Sequence, residues 1–307
     1  MDIEKIDREG RVKEKIIYRD QRLHYGIYTP RSENYCFHEI PWHWHKEFEF
    51  GYIRKGNIPS KTNQREFLLE EGHGVFINSG VLHALHPACP AEEIRLQSQF
   101  FDRSFLAGTP GDVFDLKYVT PVQEQRLFDG VPLYRKRPEH GEILEKLKKG
   151  IALSLEEGPF YELRLRSLFS DLWETIYTWA MDERMNQGVY DPREDERIKK
   201  ILAYIQESYG EKITVEDMAQ KAHISQRECY RLFQKGLDMS PVEYVISYRL
   251  QKAQEQLFES DKSILDIAVE TGFGTSSYFG KIFRQSYGIT PKEYRKLYRR
   301  GQERNYP

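Results

Sequence analysis

Two segments toward the C-terminal end repeat each other at an almost fixed offset, and few folds can satisfy that repeat. Thr214-Val-Glu-Asp217 returns 49 residues on as Ser263-Ile-Leu-Asp266. Ser225, Phe233, Ser240-Pro241 and Glu243-Tyr244 return 50 residues on as Thr275, Phe283, Thr290-Pro291 and Glu293-Tyr294. A Ser/Thr-x-x-acid pattern reads as a helix start: the hydroxyl accepts from a free backbone N–H and the acid answers it. The shift in offset puts one extra residue in the second copy, around Gly272-Phe273-Gly274. Two copies are too few for a solenoid, which needs at least about three. They predict a tandem of helix-turn-helix units. A helix over Tyr244–Phe258 joins them, with Val245, Leu250, Ala253 and Leu257 as its apolar positions.

In the second copy Thr275 caps a helix that places Phe279, Ile282 and Phe283 on one face. Ser277, Gly280, Lys281 and Arg284 fall opposite, on a face without acids. Gly288 ends the helix, and Thr290-Pro291-Lys292-Glu293 starts another. In the first copy Ser225 is the cap and Cys229, Leu232 and Phe233 point inward. Arg227, Tyr230, Arg231 and Gln234 point outward at i, i+3, i+4 and i+7. Arginine can bridge guanine O6 and N7, and glutamine can read adenine. A single face of this kind also suits a plain solvated surface. Two at a fixed offset, with matching caps, predict a pair of helices for the DNA major groove. His223, in the first turn, is expected in a left-handed conformation.

The remainder of the chain has a different character. Segments 23–29, 47–53, 65–69, 73–78 and 93–101 are aromatic or β-branched and are separated by turn residues. They predict a small β-sandwich or barrel over 1–138. Over 139–182, Ile143, Leu147, Ile151 and Leu155 recur every four residues; Gly158-Pro159 interrupts, and Leu165, Leu168, Leu172, Ile176 and Trp179 continue. This predicts an antiparallel helical hairpin, packed on the β domain or meeting its copy in a homodimer. A polar stretch with Gly and Pro, 183–194, is the expected linker. It leads to an all-α domain over 195–307, whose first helix buries Ile198, Ile201, Leu202 and Ile205.

Residues 195–300 resemble the DNA-binding domain of AraC/XylS-type transcription regulators. The resemblance is carried by Ala219, Ser225, Leu232-Phe233, Ser240-Pro241, Arg249-Leu250, Ala253, Ile267-Ala268, Gly272-Phe273, Ser277, Tyr278-Phe279, Phe283, Gly288, Thr290-Pro291 and Tyr294-Arg295. It implies seven helices and two recognition helices in adjacent major-groove segments of an operator in double-stranded DNA. The base-contacting positions it implies are Arg227, Tyr230 and Arg231 in the first unit. In the second they are Ser276, Ser277, Gly280 and Lys281, with Gly280 departing from the usual side-chain-bearing residue. A cytoplasmic activator working with RNA polymerase is what such a resemblance implies.

His43-Trp44-His45, then Glu49 and Gly56, and later Gly72, Gly80 and His83 resemble the two cupin motifs in part. Asn78 stands where the second motif has proline, and Phe37 where the first opens with glycine. On one strand, positions 43, 45 and 49 would share parity. Three imidazoles and a carboxylate are a good ligand set for a divalent transition metal. The alternative is that His43, His45, Glu49 and His83 line a pocket for a small-molecule effector, a sugar or derivative by family analogy. Trp42 and Trp44 suit barrel packing. Metal would point to a cupin enzyme, an isomerase or dioxygenase, carrying a DNA-binding domain; otherwise the chain is a regulator and not an enzyme.

The net charge of −2 hides a small basic excess after Arg193 and an acidic one before it, a sign that suits a C-terminal nucleic-acid partner. Cys36, Cys89 and Cys229 are odd in number and far apart, which fits a reducing cytosol. No apolar run is long enough for a bilayer, and the charged N-terminus shows no secretory signal.

Overall fold

The computed structural model describes residues 22–28, 40–62, 64–85, 94–125, 127–185 and 192–296, with Ile16, Tyr18 and Asp20 before them. Among these, one compact unit closes at Pro192 and a second opens at Arg193. Phe37, Cys36 and Cys89 lie outside the described residues.

The first unit is a sandwich of two antiparallel sheets. Its strands are β1 (Tyr25–Tyr28), β2 (Ile40–His43), β3 (Phe48–Lys55), β4 (Ile58–Thr62), β5 (Glu66–Leu69), β6 (Gly74–Ile77), β7 (His83–Leu85), β8 (Arg95–Phe101) and β9 (Gly130–Leu133). One sheet runs β1-β8-β3-β6-β9, the other β2-β7-β4-β5. β1, β3, β5, β6 and β8 fall in the segments marked by aromatic and β-branched residues. β2, β4 and β9 each contain a proline, which removes a ladder donor and blurs the strand signal, and β7 has three residues. Between the sheets lie Ile53, Ile58, Phe67, Leu69, Val75, Ile77, Leu85 and Leu96.

The other face of the five-stranded sheet is also covered. Tyr25, Phe48, Phe50, Phe76 and Phe101 pack there against α3 (Pro138–Glu156) and α4 (Tyr161–Met185). Two short helices, α1 (Arg103–Ala107) and α2 (Thr120–Gln123), and a π-helix, Asp115–Val119, connect β8 to β9.

The hairpin corrects one expectation. Ile143, Leu147 and Ile151 are buried within the chain itself, so they are not a dimer seam; Leu155 is 55% exposed. The cause is helix geometry. Twelve positions after Ile143 the helix has turned about 120° off the starting direction, whereas eleven positions bring it round to within about 20°. That position is Ser154, buried, with Oγ 2.6 Å from the Tyr25 hydroxyl and donating to Gly150 O at 2.7 Å.

The second unit contains α5 (Pro192–Ser208), α6 (Val215–Lys221), α7 (Gln226–Leu237), α8 (Pro241–Glu259), α9 (Ile264–Glu270) and α10 (Ser276–Tyr287); positions 291–296 are again helical. Thr214, Ser240 and Ser263 form reciprocal capping boxes with Asp217, Glu243 and Asp266. Thr290 and Glu293 make the same exchange. Both ends of the stretch expected as a linker are helical, 183–185 in α4 and 192–194 in α5; 186–191 lie outside the described residues. Pro192 at the first helical position, with Glu194 and Asp195 in the first turn, explains the early start of α5.

Candidate nucleic-acid interface and effector pocket

α7 and α10 are the second helices of the two helix-turn-helix units. Ser225 accepts from Glu228 N at 3.2 Å and Thr275 from Tyr278 N at 3.3 Å, as their caps predict. Cys229, Leu232 and Phe233 anchor the first helix from beneath, and Phe279 and Phe283 the second, where Ile282 is half-buried. The turns before them differ. His223 adopts a φ of 53°, the left-handed conformation its place in the turn predicts, whereas Gly272 and Gly274 stand at 79° and 75°. A Cβ on Gly272 would meet Tyr209 O at 2.3 Å. Only glycine fits there.

The outward faces share a scaffold and differ in charge. Arg227, Tyr230, Arg231, Gln234, Ser276, Ser277, Lys281 and Arg284 are all exposed. A Cβ on Gly280 would meet nothing within 4 Å. Arg231 donates from Nε to Glu228 Oε2 at 2.8 Å, and from Nη2 to Glu228 Oε1 and Glu194 Oε1, each at 2.6 Å. Lys235 Nζ reaches Glu194 Oε2 at 2.5 Å, and Gln234 donates to Asp238 Oδ1 at 3.1 Å. α10 carries no acid, and among the described residues neither Lys281 nor Arg284 makes an ion pair. Sequence reasoning passed over both glutamates. Glu228 was readable from its i, i+3 spacing to Arg231; Glu194 lies on another helix.

In the sandwich, His43 and His83 are cross-strand partners on β2 and β7, with ring centroids 4.1 Å apart. Glu49 faces them from β3 in the other sheet. His45 sits in the connection between β2 and β3, so positions 43, 45 and 49 do not project from one strand. They converge because the chain crosses from one sheet to the other. Gly80, at φ 71°, donates its N–H to His45 O at 2.8 Å and fixes that crossing.

Main-chain carbonyls set the ring orientations. His45 Nδ1 lies 2.9 Å from Glu47 O, and His83 Nδ1 2.9 Å from Val81 O. A carbonyl only accepts, so each Nδ1 carries its hydrogen. Both Nε2 atoms then turn to one oxygen, Glu49 Oε2, at 3.2 Å; the one on His83 lacks hydrogen-bond alignment. Burial alone would raise the Glu49 carboxyl, but His45 and His83 outweigh it and hold the group well below the usual carboxylate range. The ligand atoms of His43, His45 and His83 lie within 4.8 Å of one another. Phe100, which sequence reasoning missed, stands edge-on to His45 at 5.1 Å and opposite Glu49 in the ladder. Ser98, on the same side of the sheet, keeps a buried hydroxyl without a hydrogen-bond partner. The parity of 98 and 100 on β8 was its signal. Asn78, the departure from the cupin pattern, donates to Val122 O at 2.8 Å and Phe128 O at 3.0 Å, tying β6 to the segment after α2.

Known proteins align with both units. Residues 218–297 match the family described as a helix-turn-helix domain, and residues 29–172 the AraC-like ligand binding domain. The chain belongs to the AraC family of transcription regulators. Among AraC-family relatives, the regulator YdeC of Bacillus subtilis is 28% identical over 292 residues, covering 93% of this chain and 96% of its own. The transcriptional activator RhaS of Yersinia pestis is 26% identical over 248 residues, 74% of this chain and 85% of its own. The melibiose operon regulatory protein of Escherichia coli is 32% identical over 100 residues, 33% of each chain. This AraC-family chain is a DNA-binding transcription regulator with an effector-binding domain. Among the described residues no helix is long and apolar enough to cross a membrane.

Proposed function

We propose that the chain acts in the cytoplasm, without catalysis of its own, by binding an operator through α7 and α10 under control of a sugar or sugar derivative. The sensing part is 1–138, the hairpin 139–182 covers it, and the DNA-binding part is 195–307. Arg227, Tyr230, Arg231, Gln234, Ser276, Ser277, Gly280, Lys281 and Arg284 form the DNA face, with the Ser225 and Thr275 caps near phosphate. The carrying observation for the pocket is the convergence of His43, His45, Glu49 and His83 from two sheets. Buried polar groups cost stability unless partnered, and these turn toward a common point. Sugar hydroxyls both donate and accept, which suits imidazole and carboxylate, and one relative is named for the melibiose operon. RNA polymerase and a second copy of the chain are the further partners in this scheme. The second copy would meet a surface other than the Ile143 stripe.

The test is calorimetric titration with a panel of mono- and disaccharides, followed by operator binding. His45→Ala should abolish the effector response and spare operator affinity. Collapse of the first unit on that change would make the histidine structural instead.

A second proposal rests on the clustered ring nitrogens. A divalent transition metal would be held by His43, His45 and His83, with Glu49 as a fourth ligand. It would supply a Lewis-acidic centre for the effector's oxygen atoms. Elemental analysis of protein purified without a histidine tag decides between the two. Stoichiometric metal together with turnover would favour a metal-dependent cupin enzyme.

A further inference from the structure

Glu194 lies in the first turn of α5, on the second residue of the second unit, 37 residues from Arg231 and 41 from Lys235. Its carboxylate holds both of those cations at 2.6 and 2.5 Å. The glutamate side chain is only 18% exposed, against 47% and 60% for its partners. The acid is therefore the seated member of the network, and the cations reach in to it. Glu228 belongs to α7 itself and travels with Arg231 wherever that helix goes. Glu194 does not.

We propose that Glu194 competes with DNA for the first recognition helix, withholding Arg231 and Lys235 until DNA or a movement of the start of α5 displaces it. The proposal rests on α7 being a DNA-contacting helix. Nη2 of Arg231 has two hydrogens, and Glu228 and Glu194 already accept them, so a phosphate that takes this edge must displace a carboxylate. Each cation released to a phosphate displaces a counterion from the duplex, and binding then depends more steeply on salt. α10 has no counterpart among the described residues, where neither Lys281 nor Arg284 makes an ion pair. α7 therefore joins the duplex at a cost that α10 does not meet. Glu194 stands in the first turn of α5, so a shift of that turn reaches α7 without crossing any other element.

The experiment measures binding of the full chain to a random-sequence duplex of about 30 base pairs between about 50 and 200 mM salt. Glu194→Gln should raise affinity about tenfold at the low end, the combined scale of two exposed ion pairs, and steepen the logarithmic salt slope by roughly one to two. Glu196→Gln removes the same charge from α5, where the carboxylate pairs with Lys200, and should change neither. In an Arg231→Met/Lys235→Met background, Glu194→Gln should have no effect. Equal affinity and slope for Glu194→Gln and the parent would overturn the proposal, as would an equal gain from Glu196→Gln. If Glu194→Gln lowers the melting temperature, Glu194→Asp, too short to reach both cations, gives the same readout. Unchanged binding by the Arg231→Met/Lys235→Met chain would instead remove α7 from the DNA interface, a distinct failure.

Discussion

α7 and α10 are built alike beneath and unlike above. Each starts on a hydroxyl cap, each buries phenylalanine at corresponding positions, and each follows a turn with a left-handed residue. On the outward side, α7 presents Arg231 and Lys235 already engaged by Glu228 and Glu194, and α10 presents serines, a glycine and two cations that make no ion pair among the described residues. The scaffold of a helix-turn-helix unit thus leaves its electrostatic face free to vary. Within one chain, Arg231 and Lys235 of one copy are ion-paired with acids, whereas, among the described residues, Lys281 and Arg284 of the other make no ion pair.

The strongest test of the shared scaffold is the core. Phe233→Ala and Phe283→Ala should each cost about 3–5 kcal/mol in denaturant unfolding. A large inequality would break the likeness of the two units. The next effect concerns DNA. Arg227 makes no ion pair among the described residues, so Arg227→Ala should cost about 1–3 kcal/mol of operator affinity and relax preference at one base position. Lys281→Ala should weaken all sequences more evenly. A saturation scan of operator positions checks both, and stronger base preference in the α10 half would reverse the division. Smaller still, Ser225→Ala and Thr275→Ala should each lose about 1 kcal/mol of stability. The smallest change is a gain. Gly280→Ala puts a methyl into open space in a helix interior and should stabilise the second unit by about 0.5–1 kcal/mol. A fall in operator affinity with that gain would show that bare backbone at 280 is what the duplex approaches.

The helical unit was legible in the sequence because its determinants are local. Caps, Gly breaks and the positions of Phe233 and Phe283 are written within a few residues of the structures they cause, and so is the left-handed His223. The sandwich was legible only where strands alternate strongly. β4 and β9 carry Pro59 and Pro132, which blur the strand signal, and β9 takes its place from β6, far back along the chain. Leu155 failed for a different reason: a four-residue period drifts against a 3.6-residue helix, and Ser154 inherits the face. His43, His45, Glu49 and His83 do come together in space, but crossing between sheets, rather than strand parity, brings them there. The pairing of Glu194 with Arg231 joins two helices, and no spacing rule contains it.

β3 carries one last consequence. Phe48 packs on Trp173 at 4.7 Å and Phe50 on Phe169 at 5.9 Å, both on α4, while Glu49 between them reaches the imidazoles on the opposite side. Adjacent residues of one strand are thus wall to the histidine cluster and bed to the hairpin. Close-packed interiors have little slack, so a shift at Glu49 is carried to its neighbours. On the reading proposed above, a ligand held at Glu49 would be weighed on the far side of the sheet, with β3 as the beam of the balance.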